Sequence, residues 1–288
     1  MTADRTGPPR SIPSELLEEY TMSGRIPVLD WYIDESAPAL CHNTGETYEE
    51  TISLLSQGKF AYYGVHVLQF EDALKDHDLC GRDVLIWGLA GCNCEAMALW
   101  KKARKVYVVD YNKPRCDHED IVVLSHEELE HSDLQVDFAF SFSSFEHDGL
   151  GRYGDPLSPS ADLKAMEKAK KYLKPNGTLF FGVPTGRDAL VWNAHRIYGP
   201  LRFPLILKGW LPLGVYSVYP GPDIFGEELG THFHQPLLAL QAWPEAEVPQ
   251  KELLAQLVKA HKQAKLGDTG TRNSTIMAQL LEFQLQAG

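Results

Sequence analysis

The sequence predicts an α/β fold built on a mostly parallel, doubly wound sheet, and three observations carry that prediction. Val84-Leu85-Ile86-Trp87 is a continuous apolar run that breaks at Gly88-Leu89-Ala90-Gly91, as a strand buried on both faces and closed by a tight turn does. A second run, Lys105 to Val109, ends at Asp110, 22 positions after Gly88. A glycine turn followed about twenty residues on by an acid is how nucleotide-type folds hold an adenosine. Third, Val136-Asp137-Phe138 leads a later strand into Ser143-Ser144-Phe145-Glu146-His147, and strands alternating with helices at this interval imply parallel pairing.

The elements follow in chain order. Residues 1–14, with Pro8, Pro9 and Pro13, read as a flexible tail. From 15 to 80 the pattern is a lid or helical pre-domain, with Ile52 and Leu55 on one face of Tyr48–Leu55 and an aromatic segment at Phe60–Val67. The α/β domain spans 81–244. Glu95 to Lys102 reads as the helix after the first strand, Ile121-Val122-Val123-Leu124 as a short third strand, and Asp137 to Phe142 as a fourth. Ser160 is placed to cap a helix with Leu163, Met166, Ala169 and Leu173 along one side. Lys174-Pro175-Asn176-Gly177 supplies turn chemistry, and Thr178 to Val183 is a fifth strand. Residues 184–222, rich in Pro, Gly and aromatics, read as an insertion. Pro236 to Trp243 is a final strand, and 245–288 a helical extension with its helix at Glu252–Lys265.

Bulk properties exclude several classes of function. The 288 residues are long enough for one elaborated domain. A net charge of −12 argues against broad contact with a phosphate backbone, so no nucleic-acid partner is expected. The five cysteines, Cys41, Cys80, Cys92, Cys94 and Cys116, lack the C-x-x-C spacing of zinc sites, and no metal is expected. Few cysteines and no apolar leader suggest a reducing, cytoplasmic setting. The most apolar late stretch, Phe203 to Val215, is broken by Lys208, Gly209 and Pro212, so no membrane span is expected.

Four segments, Val84–Gly91, Asp110 after its Val-rich strand, Val136–His147 and Leu173-Lys174-Pro175-Asn176-Gly177-Thr178-Leu179, resemble in order and spacing the class I S-adenosylmethionine-dependent methyltransferases. A closer similarity, from about Ile26 to Gln241, is to a family within that superfamily known only as a domain of unknown function. It is carried by Ser143-Ser144-Phe145-Glu146-His147-Asp148-Gly149-Leu150-Gly151-Arg152-Tyr153-Gly154-Asp155-Pro156 and Asn193-Ala194-His195-Arg196-Ile197-Tyr198-Gly199. The resemblance implies a Rossmann-like, seven-stranded sheet, an insertion after strand five, and S-adenosylmethionine as cofactor. One departure is plain: Ile86 stands where such enzymes carry an acid that often helps hold the methionine part of the cofactor.

The candidate site gathers at the strand ends. Gly88, Leu89, Ala90 and Gly91 let backbone approach a ligand closely, and Asp110 is placed to accept hydrogen bonds from ribose hydroxyls. Tyr111 is a candidate to stack near the adenine, Ser125 to meet its edge, and Ser141 and Ser143 to line the cofactor. Glu146 and His147 are candidates for general acid–base work, since His titrates near neutrality and a carboxylate can orient it. A neighbour of the cofactor with a structural role is the competing reading. Arg152 and Tyr153, then Asn193, His195, Arg196 and Tyr198, suit an anionic or sugar-like acceptor, Arg through its bidentate fork. His232 and His234 flank Phe233 without a spaced third ligand. The leading expectation is methyl transfer to a small-molecule or carbohydrate-like acceptor. A non-catalytic binding or assembly module competes with it. An NAD-dependent oxidoreductase fits less well, because the turn does not spell Gly-x-Gly-x-x-Gly.

Overall fold

The computed structural model describes residues 7–33, 42–59, 64–88, 93–111, 113–218, 225, 234–243 and 277–282. Seven strands form its main sheet: β1 (Asp83–Trp87), β2 (Lys105–Val109), β3 (Ile121–Leu124), β4 (Val136–Phe142), β5 (Leu173–Gly182), β6 (Trp210–Tyr216) and β7 (Leu237–Ala242). Their order across the sheet is β3-β2-β1-β4-β5-β7-β6. β1 through β5 pair in parallel, whereas β7 runs antiparallel to β5 and to β6. The chain runs outward from β1 to β3, then returns to the other side of β1 as β4. That reversal makes the β1–β4 boundary a topological switch point, and ligands of open α/β sheets bind outside the strand ends there.

The apolar runs divide between two layers because successive strand residues face opposite ways. Leu85 and Trp87 join one core with Met166, Ala169, Phe203 and Ile206, while Val84 and Ile86 join another with Phe70, Ala73, Ala96 and Met97. The first layer holds α6 (Ala161–Ala169) and α7 (Phe203–Ile206); the second holds α2 (Gly45–Ser56), α3 (Val67–Asp76) and α4 (Asn93–Trp100). Residues 277–282 are helical and also pack on the first layer. Each fully buried Leu, Ile or Phe contributes roughly 1.5–3 kcal/mol. α2 starts on a capping box between Thr44 and Thr47 and buries Leu55, with Ile52 half-buried beside it, as its periodicity predicts. Thus α2 and α3, within the stretch read as a pre-domain, form part of the core layer itself.

A smaller three-stranded sheet joins Val28–Leu29 to Ala189–Val191 in parallel, and Ala189–Val191 to His195–Ile197 antiparallel. It ties the N-terminal segment to the segment after β5. α1 (Ser14–Tyr20) packs there through Tyr20 against Trp192. The residues from Gly7 on, which composition assigns to a loose tail, are docked: Tyr32 donates to the Pro8 carbonyl at 2.5 Å and Trp192 Nε1 to that of Pro9 at 2.8 Å.

Four expectations are corrected. Trp210–Tyr216 is an edge strand of the main sheet and not part of an insertion. Pro212 and Gly214 disguise it, and the register shifts between them, as an edge position tolerates. Ser160 sits at the N-cap of α6, but its side chain makes no capping hydrogen bond. Leu173 opens β5 instead of extending the face of α6, which ends in a 3₁₀ turn at Lys170–Tyr172. Lys174–Gly177 is a bulge within β5, because pairing jumps from Val136–Leu173 to Phe138–Thr178. The helix expected at Glu252–Lys265 lies outside the described residues. Among those residues, no helix is long and apolar enough to cross a membrane.

Candidate active site

Gly88 follows β1 with φ +79°, a conformation that favours glycine, and donates its N–H to the Val109 carbonyl at 2.9 Å. A Cβ there would lie 2.8 Å from Ser144 Oγ, so the glycine lets the end of β4 close against the end of β1. Leu89, Ala90 and Gly91 lie outside the described residues. Asp110, half-buried, follows β2, the strand paired with β1. α4 then begins with two buried polar residues that the sequence reading passed over, Asn93 and Glu95. Among the described residues, neither amide atom of Asn93 has a hydrogen-bond partner, and neither does Oε1 of Glu95. Burial, reinforced by Asp110, pushes the Glu95 carboxyl up to about 7.

Tyr111 and His126 bring the ends of β2 and β3 together, their rings 4.3 Å apart at 32°. Burial, then the charges of Asp148, Asp155 and Asp110, raise the Tyr111 phenol, and burial lowers the His126 imidazole. Ser125, expected at an adenine edge, spends its hydroxyl on α5 (His126–Glu130): it accepts the Glu128 N–H at 3.0 Å in a capping box. Ser141 is buried within β4, its Oγ unpartnered among the described residues. Ser143 turns the chain with φ +54°.

Glu146 and His147 form the chemical centre of this edge. Glu146 is fully buried and, among the described residues, neither carboxylate oxygen closes a well-formed hydrogen bond; His147 Nε2 stands 3.6 Å from its Oε1. Burial pushes Glu146 up to about 7, a rise that Ser143 and Arg196 moderate. His147 Nδ1 lies 2.5 Å from the Ala194 carbonyl, which can only accept. The imidazole therefore carries its proton on Nδ1 and presents a lone pair on Nε2. Burial, then the nearby charges of His195, Arg152 and Arg196, lower His147 to about 3. The pair is neutral below neutrality and gains a carboxylate above it.

This arrangement has a stability consequence. The folded chain keeps a proton on Glu146 that the unfolded chain, with an ordinary value of 4.5, has already released. The group's contribution is therefore full below pH 4.5, falls as pH rises to about 7, and is constant above. Glu146→Gln removes the titration. It should match the parent near pH 4 and exceed it at pH 8 by about 3 kcal/mol, the shift from 4.5 to about 7 at 1.36 kcal/mol per unit. Urea unfolding across that range reads the difference, and parallel curves at every pH would refute it.

Around the pair, Tyr153 and His195 meet the His147 ring edge-on at 5.6 and 6.3 Å, and the Arg152 guanidinium lies 5.1 Å over the Tyr153 ring. Burial, then Arg152, lowers His195 to about 4. Asp155 knots this loop, its carboxylate accepting the backbone N–H groups of Gly149, Gly151 and Tyr153. The three other residues expected to meet the acceptor are buried, with their polar groups spent on the fold. Asn193 bonds both backbone polar groups of Ile33. Arg196 donates to the carbonyls of Glu146, Asp148, Ser158 and Pro159. Tyr198 donates to Asp162 at 2.8 Å. Arg196, with the His147–Ala194 bond, clamps the loop bearing His147 onto the smaller sheet. Among the described residues no cluster of three His, Cys, Asp or Glu is arranged for a metal, and His232 lies outside them.

A parallel sheet with a switch point at β1–β4, closed by antiparallel β7 inserted beside β5, is the Rossmann-like fold of the class I methyltransferases. Residues 82–222 match the family model described as "Caenorhabditis protein of unknown function, DUF268". The resemblance read from the motifs, to an uncharacterised family with the class I methyltransferase fold, is borne out. No curated protein matches. Solved structures similar to the chain include Burkholderia thailandensis 1,6-didemethyltoxoflavin-N1-methyltransferase with S-adenosylhomocysteine bound. It is 16% identical, with 74% of this chain and 98% of that one covered and a TM-score of 0.47. A Leishmania major S-adenosylmethionine-dependent methyltransferase is 12% identical over 67% and 82%, at 0.44. A candidate hemolysin from Streptococcus thermophilus is 15% identical over 80% and 77%, at 0.42. The strand order and directions themselves define the fold.

Proposed function

We propose that the chain binds S-adenosylmethionine across the ends of β1, β2 and β4 and methylates a small-molecule or carbohydrate-like acceptor. The observation that carries this reading is the pairing, at the switch point, of a left-handed Gly88 pressed against Ser144 with Asp110 on the adjacent strand end. The donor set fits the cofactor: Asp110 offers a carboxylate for the ribose diol, and unpartnered buried polar atoms of Asn93, Glu95 and Ser141 line the same edge. When bound, the cofactor supplies a methyl group on a sulfonium, already a good leaving group. The chain's own part is to exclude water, orient the acceptor between Arg152, Tyr153 and His195, and take its proton on His147 Nε2.

Ile86, buried and apolar where relatives carry an acid, favours a second reading in which the fold persists as a non-catalytic binding module. A thermal-shift screen separates the two. S-adenosylmethionine or S-adenosylhomocysteine should stabilise the fold and NAD(H) should not; no shift with either sulfur nucleoside at millimolar concentration would favour the module. Asp110→Ala should weaken S-adenosylhomocysteine binding about ten- to a hundredfold, the worth of a charged hydrogen bond. Unchanged affinity by calorimetry removes Asp110 from the site.

A further inference from the structure

Two buried polar residues at the start of α4 stand at this edge with no particular group of the cofactor yet matched to them. α4 sends Ala96, Met97 and Ala98 into the core. Yet Asn93 and Glu95 are only 2% and 1% exposed. Among the described residues, Oε1 of Glu95 and both amide atoms of Asn93 are unpartnered. Buried polar atoms are nearly always satisfied, so three orphans in one helical turn mark a place where another molecule completes the bonding. The turn lies directly after the glycine segment, and the field of Asp110 reaches it from the end of β2. The acids of the packed helix α2, Glu46, Glu49 and Glu50, are exposed to solvent.

We propose that Asn93 and Glu95 form the seat for the α-amino-acid head of the bound sulfur nucleoside, Glu95 taking the ammonium and the Asn93 amide spanning ammonium and carboxylate. This rests on the cofactor reading above and adds its missing acid, which Ile86 on β1 does not provide. The chemistry matches. An ammonium needs acceptors and a carboxylate needs donors; a carboxylate beside a primary amide offers both. A sulfonium has no N–H to give, so this seat reads the amino-acid end and not the methyl donor. Since burial and Asp110 hold the empty carboxyl at about 7, seating a cation there expels its proton.

Calorimetry with two nucleosides tests the assignment: S-adenosylhomocysteine, which carries the amino-acid head, and 5′-methylthioadenosine, which lacks it. Glu95→Gln should weaken the first about tenfold or more and leave the second within about twofold, whereas Asp110→Asn weakens both. The parent protein gives an independent reading. At pH 6, in two buffers of different ionisation enthalpy, S-adenosylhomocysteine should release close to one proton and 5′-methylthioadenosine none. Equal losses for both nucleosides in Glu95→Gln, no loss for either, or no proton released by the parent overturns the seat while leaving the cofactor reading intact. A parent that binds neither nucleoside overturns the cofactor reading and the seat with it.

Discussion

Asp162→Asn should cost about 3–5 kcal/mol, a large share of the roughly 5–15 kcal/mol that holds a domain together. Asp162 is fully buried at the start of α6 and is the shared anion of a closed network. Arg202 bonds it through Nη2 at 2.6 Å and Nε at 2.9 Å, Tyr198 donates at 2.8 Å, and Arg196 Nε lies 3.7 Å away. Burial alone would raise the carboxyl, but Arg196 and Arg202 overcome it and hold it below the ordinary 3.8. The asparagine keeps the shape and removes the charge, leaving two buried guanidinium groups without the carboxylate they share. The depressed carboxyl also fixes the sign of the pH response: its contribution is present above pH 3.8 and is lost as pH falls through the folded value. Denaturant unfolding at pH 7 measures the loss, and a difference under about 1 kcal/mol would show that the network is not closed. Because Arg196 also holds the Glu146 and Asp148 carbonyls, amide exchange across 146–159 should quicken in the same variant.

This network shows why the site was only partly legible. The strands of the parallel core announce themselves through local apolar runs, and Gly88, Asp110 and Ser143–His147 sit in motifs a few residues long at their ends. Arg202 and Asp162 are 40 positions apart, and Arg196 reaches the Glu146 carbonyl across 50. Neither pairing has a local signature, so Arg196 and Tyr198 read from sequence as acceptor contacts when the fold spends them on position. β6 was hidden for a related reason: Pro212 and Gly214 break the run, and only an edge place in the sheet makes them tolerable. Asn93 and Glu95 did leave a trace, as polar residues opening an otherwise apolar helix, but an acid in the first turn of a helix is ordinarily a solvated one, and nothing local marks these two as buried.

His147→Gln should slow methyl transfer by about 10²- to 10⁴-fold, the usual worth of a positioned base, with S-adenosylhomocysteine affinity nearly unchanged. The Ala194 carbonyl fixes the tautomer that exposes Nε2, yet burial leaves this imidazole a poor base at about 3. Glu146 supplies what is missing. Once ionised, a carboxylate at 3.6 Å favours the imidazolium by roughly 4 kcal/mol at an effective dielectric of 20, or about three pKa units. The base then works near neutrality, so the rate should climb with pH about a midpoint near 7 that belongs to Glu146. Glu146→Gln should flatten that climb at the low rate, whereas His147→Gln should be slow at every pH. If His147→Gln instead keeps the parent's rate and pH profile, the reaction needs only the closeness of acceptor and sulfonium, and His147 serves as a strut between β4 and the smaller sheet.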